Sequence, residues 1–287
     1  MSPSAGLVWT LHDMRPFTGA CHYSLGCDGF IAGCGNCPAV RTVWSGKVAS
    51  QFASQLEAIS QLGDRLQFVS PSEWLADTAR NSQILRGAPI RVIPNPLPLD
   101  SPAPPTKRDL WPDIPEDARV FVAAAAAIDD PVKDIESAVA SFIEAVDDNE
   151  DVWLLVAGSG KTKQPGHARV RFLGGLGQQE MAALFSRADY LLVTSLAENQ
   201  PLLISEAQSH GVCVIVRDST GLSEHTLIDP HALRFKTGDD LAGLLQKVKN
   251  TPLTQKRRKE VARAAKRKYD PILIAQQYLD LYSESQG

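Results

Sequence analysis

No stretch of this 287-residue sequence is apolar for long enough to cross a bilayer: its longest uninterrupted apolar run is 120–128, far short of the ~20 residues needed. An excess of positive charge is missing too. With 29 basic against 33 acidic side chains the formal net charge is −4, which speaks against a general nucleic-acid binder, whose domain is normally basic overall. The opening Met-Ser-Pro-Ser-Ala-Gly lacks a charged region followed by an apolar stretch, so no secretory signal is expected and the cytoplasm is the expected location. No internal repeat is present. Five cysteines, four of them between Cys21 and Cys37, then read as reduced thiols or metal ligands in preference to a disulfide framework. What is there is ordinary globular composition, 44% hydrophobic and 22% charged. The length implies two domains or one large α/β unit.

A short run of β-formers at 7–11 leads into His12-Asp13, the pattern of a buried strand delivering polar residues to a sheet edge. Residues 14–46 are rich in Gly, Pro and Cys without sustained period and read as a long structured loop. A second strand at 66–69 is followed by Ser70-Pro71-Ser72-Glu73, which predicts a helix to about residue 85 with Ser70 as cap, Pro71 at its first position and Glu73 closing a capping box. A third strand is expected at 90–93. Seven prolines in 96–115 mark a linker and the best domain boundary. The expected organisation is therefore a first domain over 1–100, a linker over 101–115, a second domain over 116–270, and a C-terminal helix over 271–287 packing back on the first. In the second domain apolar strands at 119–127, 152–157, 169–173, 190–194 and 212–216 alternate with helices at 134–146, 178–187 and from 201. Such alternation means a parallel sheet covered on both faces, Rossmann-like, with ligands beyond the carboxyl ends of the strands. The loops to search follow residues 127, 157, 173 and 194.

In those loops stand the candidate residues. Glu198 lies after a strand and Glu206 one to two turns into the next helix, which Pro201 is placed to start. A carboxylate accepts paired hydrogen bonds from a vicinal diol, and free N–H groups at a helix start suit hydroxyls or anions, so sugar and ribose are both candidates; a solvated loop Glu and a Lys-paired helix Glu are the plainer alternative. Lys133, after a strand and before a helix, could hold a diphosphate together with helix N–H groups, or be a solvated loop lysine. The turn Gly158-Ser159-Gly160-Lys161-Thr162 is not a P-loop, because the glycine required five residues earlier is Leu155 and Pro165-Gly166 interrupts any helix. It reads as a close-approach turn for a ligand or an ordinary strand-to-loop turn. Cys21, Cys27, Cys34 and Cys37 leave three readings open: a structural zinc site, free buried thiols, or redox chemistry. The segment 256–268 carries eight basic residues against Glu260 on a helix expected to end near Tyr282, either a surface for anionic lipid headgroups or a solvated face.

Together these features resemble the retaining GT-B glycosyltransferases of family 4, in particular the colanic-acid and capsule-type branch with a Cys-rich loop. The residues that carry the resemblance are Thr10-Leu-His-Asp-Met-Arg-Pro-Phe-Thr-Gly-Ala-Cys-His-Tyr23 with Gly33-Cys-Gly-Asn-Cys-Pro38, then Ser70-Pro-Ser-Glu-Trp-Leu75, Val92-Ile-Pro-Asn95, and the E-x7-E spacing of Glu198 and Glu206. It implies an α/β, GT-B type fold of two Rossmann-like domains with parallel sheets, the N-terminal one incomplete because the family's first strands and glycine-rich loop are not matched. By the same resemblance Glu206 would bind the ribose hydroxyls of a nucleotide-diphosphate sugar, and Glu198 with Asn199, Gln200, Pro201 and Leu202 would hold the hexose. Lys133 would neutralise the diphosphate, with Gly158 lining the donor, and His12 would stand near the reacting sugar. The implied reaction retains configuration, needs no divalent metal or other cofactor, and delivers a hexose to a glycan or lipid-linked acceptor in surface polysaccharide assembly, with no nucleic-acid partner. The expected contact with the inner face of the membrane runs through 256–268. Two departures stand out: the usual arginine before the lysine has no counterpart in 123–130, and the glycine that usually follows it is Asp134. The rival reading is a non-catalytic or partner-dependent sugar-nucleotide-binding remnant. A zinc-dependent interaction module is the third.

Overall fold

The computed structural model describes residues 6–99, 111, 113–162, 164–229, 232–251 and 253–284. The chain divides into two compact units. One comprises residues 1–96, 198–200 and 272–287, the other 97–197 and 201–271.

The first unit holds a parallel sheet of β1 (Leu7–Thr10), β2 (Leu66–Ser70) and β3 (Ile90–Val92), in that order. Register runs from Leu7 opposite Leu66 and from Phe68 opposite Ile90. Side chains alternate between faces. Leu66, Phe68 and Ile90 pack with α2 (Ser45–Leu62) and α3 (Glu73–Asn81) through Phe52, Leu75, Ala76 and Ala79. Val69 and Ile93 pack on the other face with Ile274 and Leu281 of the last helix (Pro271–Glu284). The loop after β1 is not featureless: it contains a 3-10 turn at Arg15–Phe17 and the short α1 (Gly29–Ala32), and its buried Met14, Phe17 and Phe30 join the same core.

The second unit is a six-stranded, all-parallel sheet made of β4 (Arg119–Ala127), β5 (Val152–Ser159), β6 (Val170–Gly174), β7 (Tyr190–Val193), β8 (Cys213–Arg217) and β9 (Leu233–Phe235). Its order is β6-β5-β4-β7-β8-β9. Apolar residues fill both faces, as a sheet covered by helices requires. Phe121, Leu154, Tyr190 and Ile215 face α4 (Ile135–Ala145) and α7 (Gly238–Val248), while Val122, Leu155, Leu191 and Val214 face α5 (Gln178–Arg187) and α6 (Leu202–Ser209). Strand order reverses between β4 and β7, and a doubly wound sheet opens its ligand crevice at the carboxyl ends flanking such a reversal.

Several sequence expectations need correction. Ser72, not Ser70, caps α3: its Oγ accepts from Leu75 N at 3.1 Å, while Ser70 Oγ donates to the Ser72 carbonyl at 2.8 Å. The helix ends at Asn81, where Ser82 is extended, and not near residue 85. Helix α2 occupies a stretch for which no element was expected. The single C-terminal helix is two, α8 (Gln255–Lys268) and α9 (Pro271–Glu284), separated at Tyr269-Asp270 because a proline cannot continue the hydrogen-bond ladder. Most of the proline-rich segment 101–115 lies outside the described residues.

Candidate functional site

At the reversal point of the second unit, the loops leaving β4 and β7 are laced together. Leu196 N donates to the Val132 carbonyl at 2.8 Å and Thr194 Oγ1 to the Lys133 carbonyl at 3.0 Å. Lys133 itself is half-buried and sits two residues before α4. Asp134, the cap of α4, has φ 49° and ψ 43°. That left-handed conformation is open to glycine and, among other residues, chiefly to Asn and Asp, whose short side chains bond locally; here Asp134 Oδ1 accepts from Ser137 Oγ at 2.8 Å. The backbone thus explains how aspartate is accommodated where the resemblance implies a glycine. Its charge is answered by Arg217 at the end of β8, whose Nη2 meets Asp134 Oδ2 at 2.5 Å and whose Nε donates to the Thr194 carbonyl at 2.8 Å. Sequence reasoning missed Arg217. No motif marks it, because its meaning comes from strand adjacency.

Glu206 stands in α6, just after the β7 loop. It is half-buried, burial alone pushes its carboxyl above the usual range, and no side-chain partner holds it among the described residues. A carboxylate partly removed from water without hydrogen bonds is costly unless a ligand supplies them. Pro201 caps this helix and Leu202, its first residue, is 44% exposed. At the end of β5 the glycines of 158–162 answer to packing. A Cβ on Gly158 would lie 1.9 Å from the Ala125 carbonyl oxygen, and one on Gly160 would lie 2.5 Å from Asp129 Oδ1.

Within the first unit a second group gathers at the carboxyl ends of all three strands. Glu198, Asn199 and Gln200 are 7%, 4% and 9% exposed. The Asn199 amide donates to the His12 carbonyl at 3.1 Å and accepts from Ser72 Oγ at 2.5 Å, and its backbone N–H donates to Tyr23 Oη at 3.1 Å. Gln200 Oε1 accepts from Asn95 N at 2.6 Å. Burial, reinforced by the Glu198 charge, pushes the Tyr23 hydroxyl up to about 12. The His12 side chain stays exposed beside this network, its backbone fixed by Asn199. Tyr23, Ser72 and Asn95 all lie in the segments that carried the family resemblance, yet nothing in their spacing revealed that they meet the adjacent Asn199 and Gln200.

The four loop cysteines are free thiols, each half-buried. Cys21 is hydrogen-bonded to Cys37, and burial raises the Cys21 and Cys34 thiols, with the neighbouring cysteines adding to the effect. Backbone N–H groups of Gly19 and Gly29 point at Cys34 and Cys27 sulfurs, at 3.3 and 3.5 Å. Among the described residues, however, no three His, Cys, Asp or Glu side chains are disposed to hold a metal ion. Among the described residues the donor set that the structural-zinc reading needs is not assembled. The basic segment forms α8. No helix among the described residues is long and apolar enough to cross a membrane.

Comparison with known proteins fits this geometry. The family described as glycosyl transferases group 1 matches residues 118–251. The chain is 28% identical over 226 residues to the putative colanic acid biosynthesis glycosyl transferase WcaC of Escherichia coli strain K12, an alignment covering 77% of this chain and 54% of that protein. It therefore spans about half the length of this curated relative. Among solved structures, sucrose-phosphate synthase from Thermosynechococcus elongatus aligns with a TM-score of 0.66 and 20% identity over 81% of this chain and 61% of that one. HepE from Anabaena, solved in complex with UDP and glucose, aligns with a TM-score of 0.61 and 17% identity over 80% of this chain and 67% of that one. At these identities the structures establish fold, and the fold is that of GT-B glycosyltransferases. Residues 118–251 are thus the part of the chain that is similar to the group 1 glycosyl transferases.

Proposed function

We propose that the protein is a retaining hexosyltransferase that uses a nucleotide-diphosphate sugar and delivers the hexose to a glycan or lipid-linked acceptor in surface polysaccharide assembly. The observation that carries this reading is Glu206, a half-buried carboxylate without a partner among the described residues, in the helix that follows the reversal-point strand β7. Ribose hydroxyls supply the hydrogen bonds it lacks. Lys133 neutralises the diphosphate, and Arg217 keeps Asp134 from opposing it. Glu198 and the backbone of 199–202 hold the hexose, with His12 beside it. In the transfer, the bond from the anomeric carbon to the diphosphate oxygen breaks and a bond to the acceptor oxygen forms on the same face. The acceptor proton passes to the leaving diphosphate. Stabilising the charge that develops on that leaving group is the protein's main contribution, and loss of one such donor costs on the order of a hundredfold in rate. The relative named for colanic acid biosynthesis supports the assignment to polysaccharide assembly.

Thermal unfolding with UDP- and GDP-sugars tests the reading, because a ligand of the native state alone raises stability by RT ln(1 + [L]/Kd). A shift with one donor that disappears in Glu206→Ala is expected. No shift with any donor would refute it. A second reading, a sugar-nucleotide-binding chain that needs another polypeptide for transfer, is favoured by β1, an edge strand among the described residues whose Trp9 is 40% exposed. Donor binding without transfer, restored by a second chain, would select it.

A further inference from the structure

The ends of the second-unit strands opposite those carrying Lys133 and Glu206 open on a polar cavity of about 640 Å³. The start of β4, the end of α5, the start of β7, the end of α6 and one side of α8 line it. Arg119, Arg187, Arg258, Lys259 and Lys266 share it with the carboxylates of Glu116, Asp117 and Asp189. Asp189, 4% exposed, is already fully engaged: it accepts from Arg119 Nη1 at 2.8 Å, Arg258 Nη2 at 2.5 Å and Val120 N at 2.9 Å. Arg187 has no carboxylate among the described residues. Its Nη2 donates to the Pro115 and Ala118 carbonyls at 2.7 and 2.9 Å, which fixes the guanidinium in place. Three guanidinium groups thus crowd one buried carboxylate. Burial lowers Arg187 from the usual arginine range; the charges of Asp189 and Asp117 oppose the shift and those of Arg258 and Arg119 add to it.

Helix α8 continues this charge outward. Its exposed Lys256, Lys259, Arg263, Lys266 and Arg267 fall within an arc of about 100° on a 3.6-residue helix, while Val261 and Ala265 are buried on the other side. None of the five is ion-paired among the described residues, and only Glu260 flanks the arc. The arc offers no apolar side chain to insert into a hydrocarbon layer. Its complement is therefore a flat array of negative charge, and the arginine-rich cavity behind it adds to the positive field that a phosphate would meet.

We propose that the arginine-lined cavity and the basic arc of α8 form a docking surface for an anionic membrane, with one lipid phosphate seated against Arg187 and Arg258 and the α8 side chains over neighbouring headgroups. The surface lies at the opposite strand ends from the donor loops and does not depend on the proposed reaction. Each basic residue near an anionic bilayer strengthens partitioning about fivefold, and the attraction falls off over a Debye length of about 10 Å near 0.1 M salt.

Co-sedimentation of the full chain with phosphatidylcholine vesicles, with and without phosphatidylglycerol, tests this directly. Wild type is expected in the pellet only with phosphatidylglycerol, and released by high salt. The triple variant Lys259→Glu, Arg263→Glu, Lys266→Glu should lose at least tenfold in partitioning while its unfolding temperature is kept. A charge-matched variant, Lys47→Glu, Lys236→Glu, Lys247→Glu, should still bind. Arg187→Gln removes the cavity charge while keeping an amide donor for the Pro115 and Ala118 carbonyls, and should weaken binding severalfold; undiminished binding there would overturn the seating in the cavity. Equal pelleting with pure phosphatidylcholine, equal loss in the two triple variants, or retention by single-stranded RNA in place of vesicles would overturn the docking surface.

Discussion

Replacing Glu206 by Gln separates a ligand-binding carboxylate from a structural one by the sign of two effects. The wild-type carboxyl is raised by burial, with no partner to offset the cost of ionisation. A carboxyl whose folded pKa lies above its unfolded value favours the fold below the unfolded pKa and loses that advantage as pH rises through the folded one. At neutral pH the wild type therefore carries an unrewarded buried charge, and Glu206→Gln should be at least as stable without ligand. Its stability relative to wild type should fall back as pH drops toward 4, where the carboxyl becomes neutral as well. Donor binding should move the other way. Hydrogen bonds to a charged acceptor contribute about 2 kcal/mol, so the amide should bind a nucleotide sugar about thirtyfold more weakly. At a hundredfold excess over the wild-type Kd, ligand stabilisation of about 2.7 kcal/mol would shrink to about 0.9 kcal/mol. The assay is thermal or urea unfolding from pH 4 to 8, with and without donor. A variant less stable without ligand that keeps its full donor shift would refute the assignment, since that pattern belongs to a residue holding the fold.

Arg217→Ala should leave the Asp134 charge unanswered beside Lys133, destabilising the protein by about 1–3 kcal/mol and weakening donor binding. Adding Asp134→Asn should recover most of both losses, and additive effects in the double-mutant cycle would disprove the coupling. Gly158→Ala must move backbone, because its Cβ would meet the Ala125 oxygen at 1.9 Å with φ at 142°; a loss above about 3 kcal/mol in urea unfolding is expected, and a neutral substitution would show that the turn adjusts. Among the thiols, Cys213, pushed up to about 12 by burial and by Asp229, should resist iodoacetamide at pH 8 until the chain unfolds, whereas the half-buried loop cysteines react in the native state. Loop labelling that begins only after a chelator is added would instead restore the structural zinc expected from their spacing.

The second unit was largely legible because a buried parallel strand is written as a continuous apolar run, and 119–127 and 190–194 are such runs. The order of those strands was not, since register and adjacency come from packing between residues far apart in the chain. Arg217 illustrates the consequence: its link to Asp134 spans 83 positions. The cap of α3 was misread by two residues because Ser70 and Ser72 are equally good caps in sequence, and only the end of β2 at Ser70 decides between them. Helix α2 was missed although Val48, Phe52, Leu56, Ile59 and Leu62 recur at helical spacing, hidden by the glycine- and cysteine-rich stretch that precedes it. The placement of Glu198 in a loop and Glu206 in the following helix was legible from the sequence. That Asn199, between them, ties the loop after β1 to the loop after β2 was not, since each of its partners is an unremarkable polar residue in its own segment.

Neither unit is a continuous stretch of the gene. The first draws its core from Val69 and Ile93 but also from Ile274 and Leu281, and its strand ends from a tripeptide encoded in the middle of the second. On the ribosome, domains generally fold as units in order of synthesis. Here the unit that begins emerging first has to wait, its sheet uncovered on one face, until the last helix has been made. The second unit, complete by residue 271, is free to close earlier. A cut anywhere between the two would therefore yield one fragment able to finish folding and one that has lost its lid, and coexpression of the pieces would restore what neither holds alone.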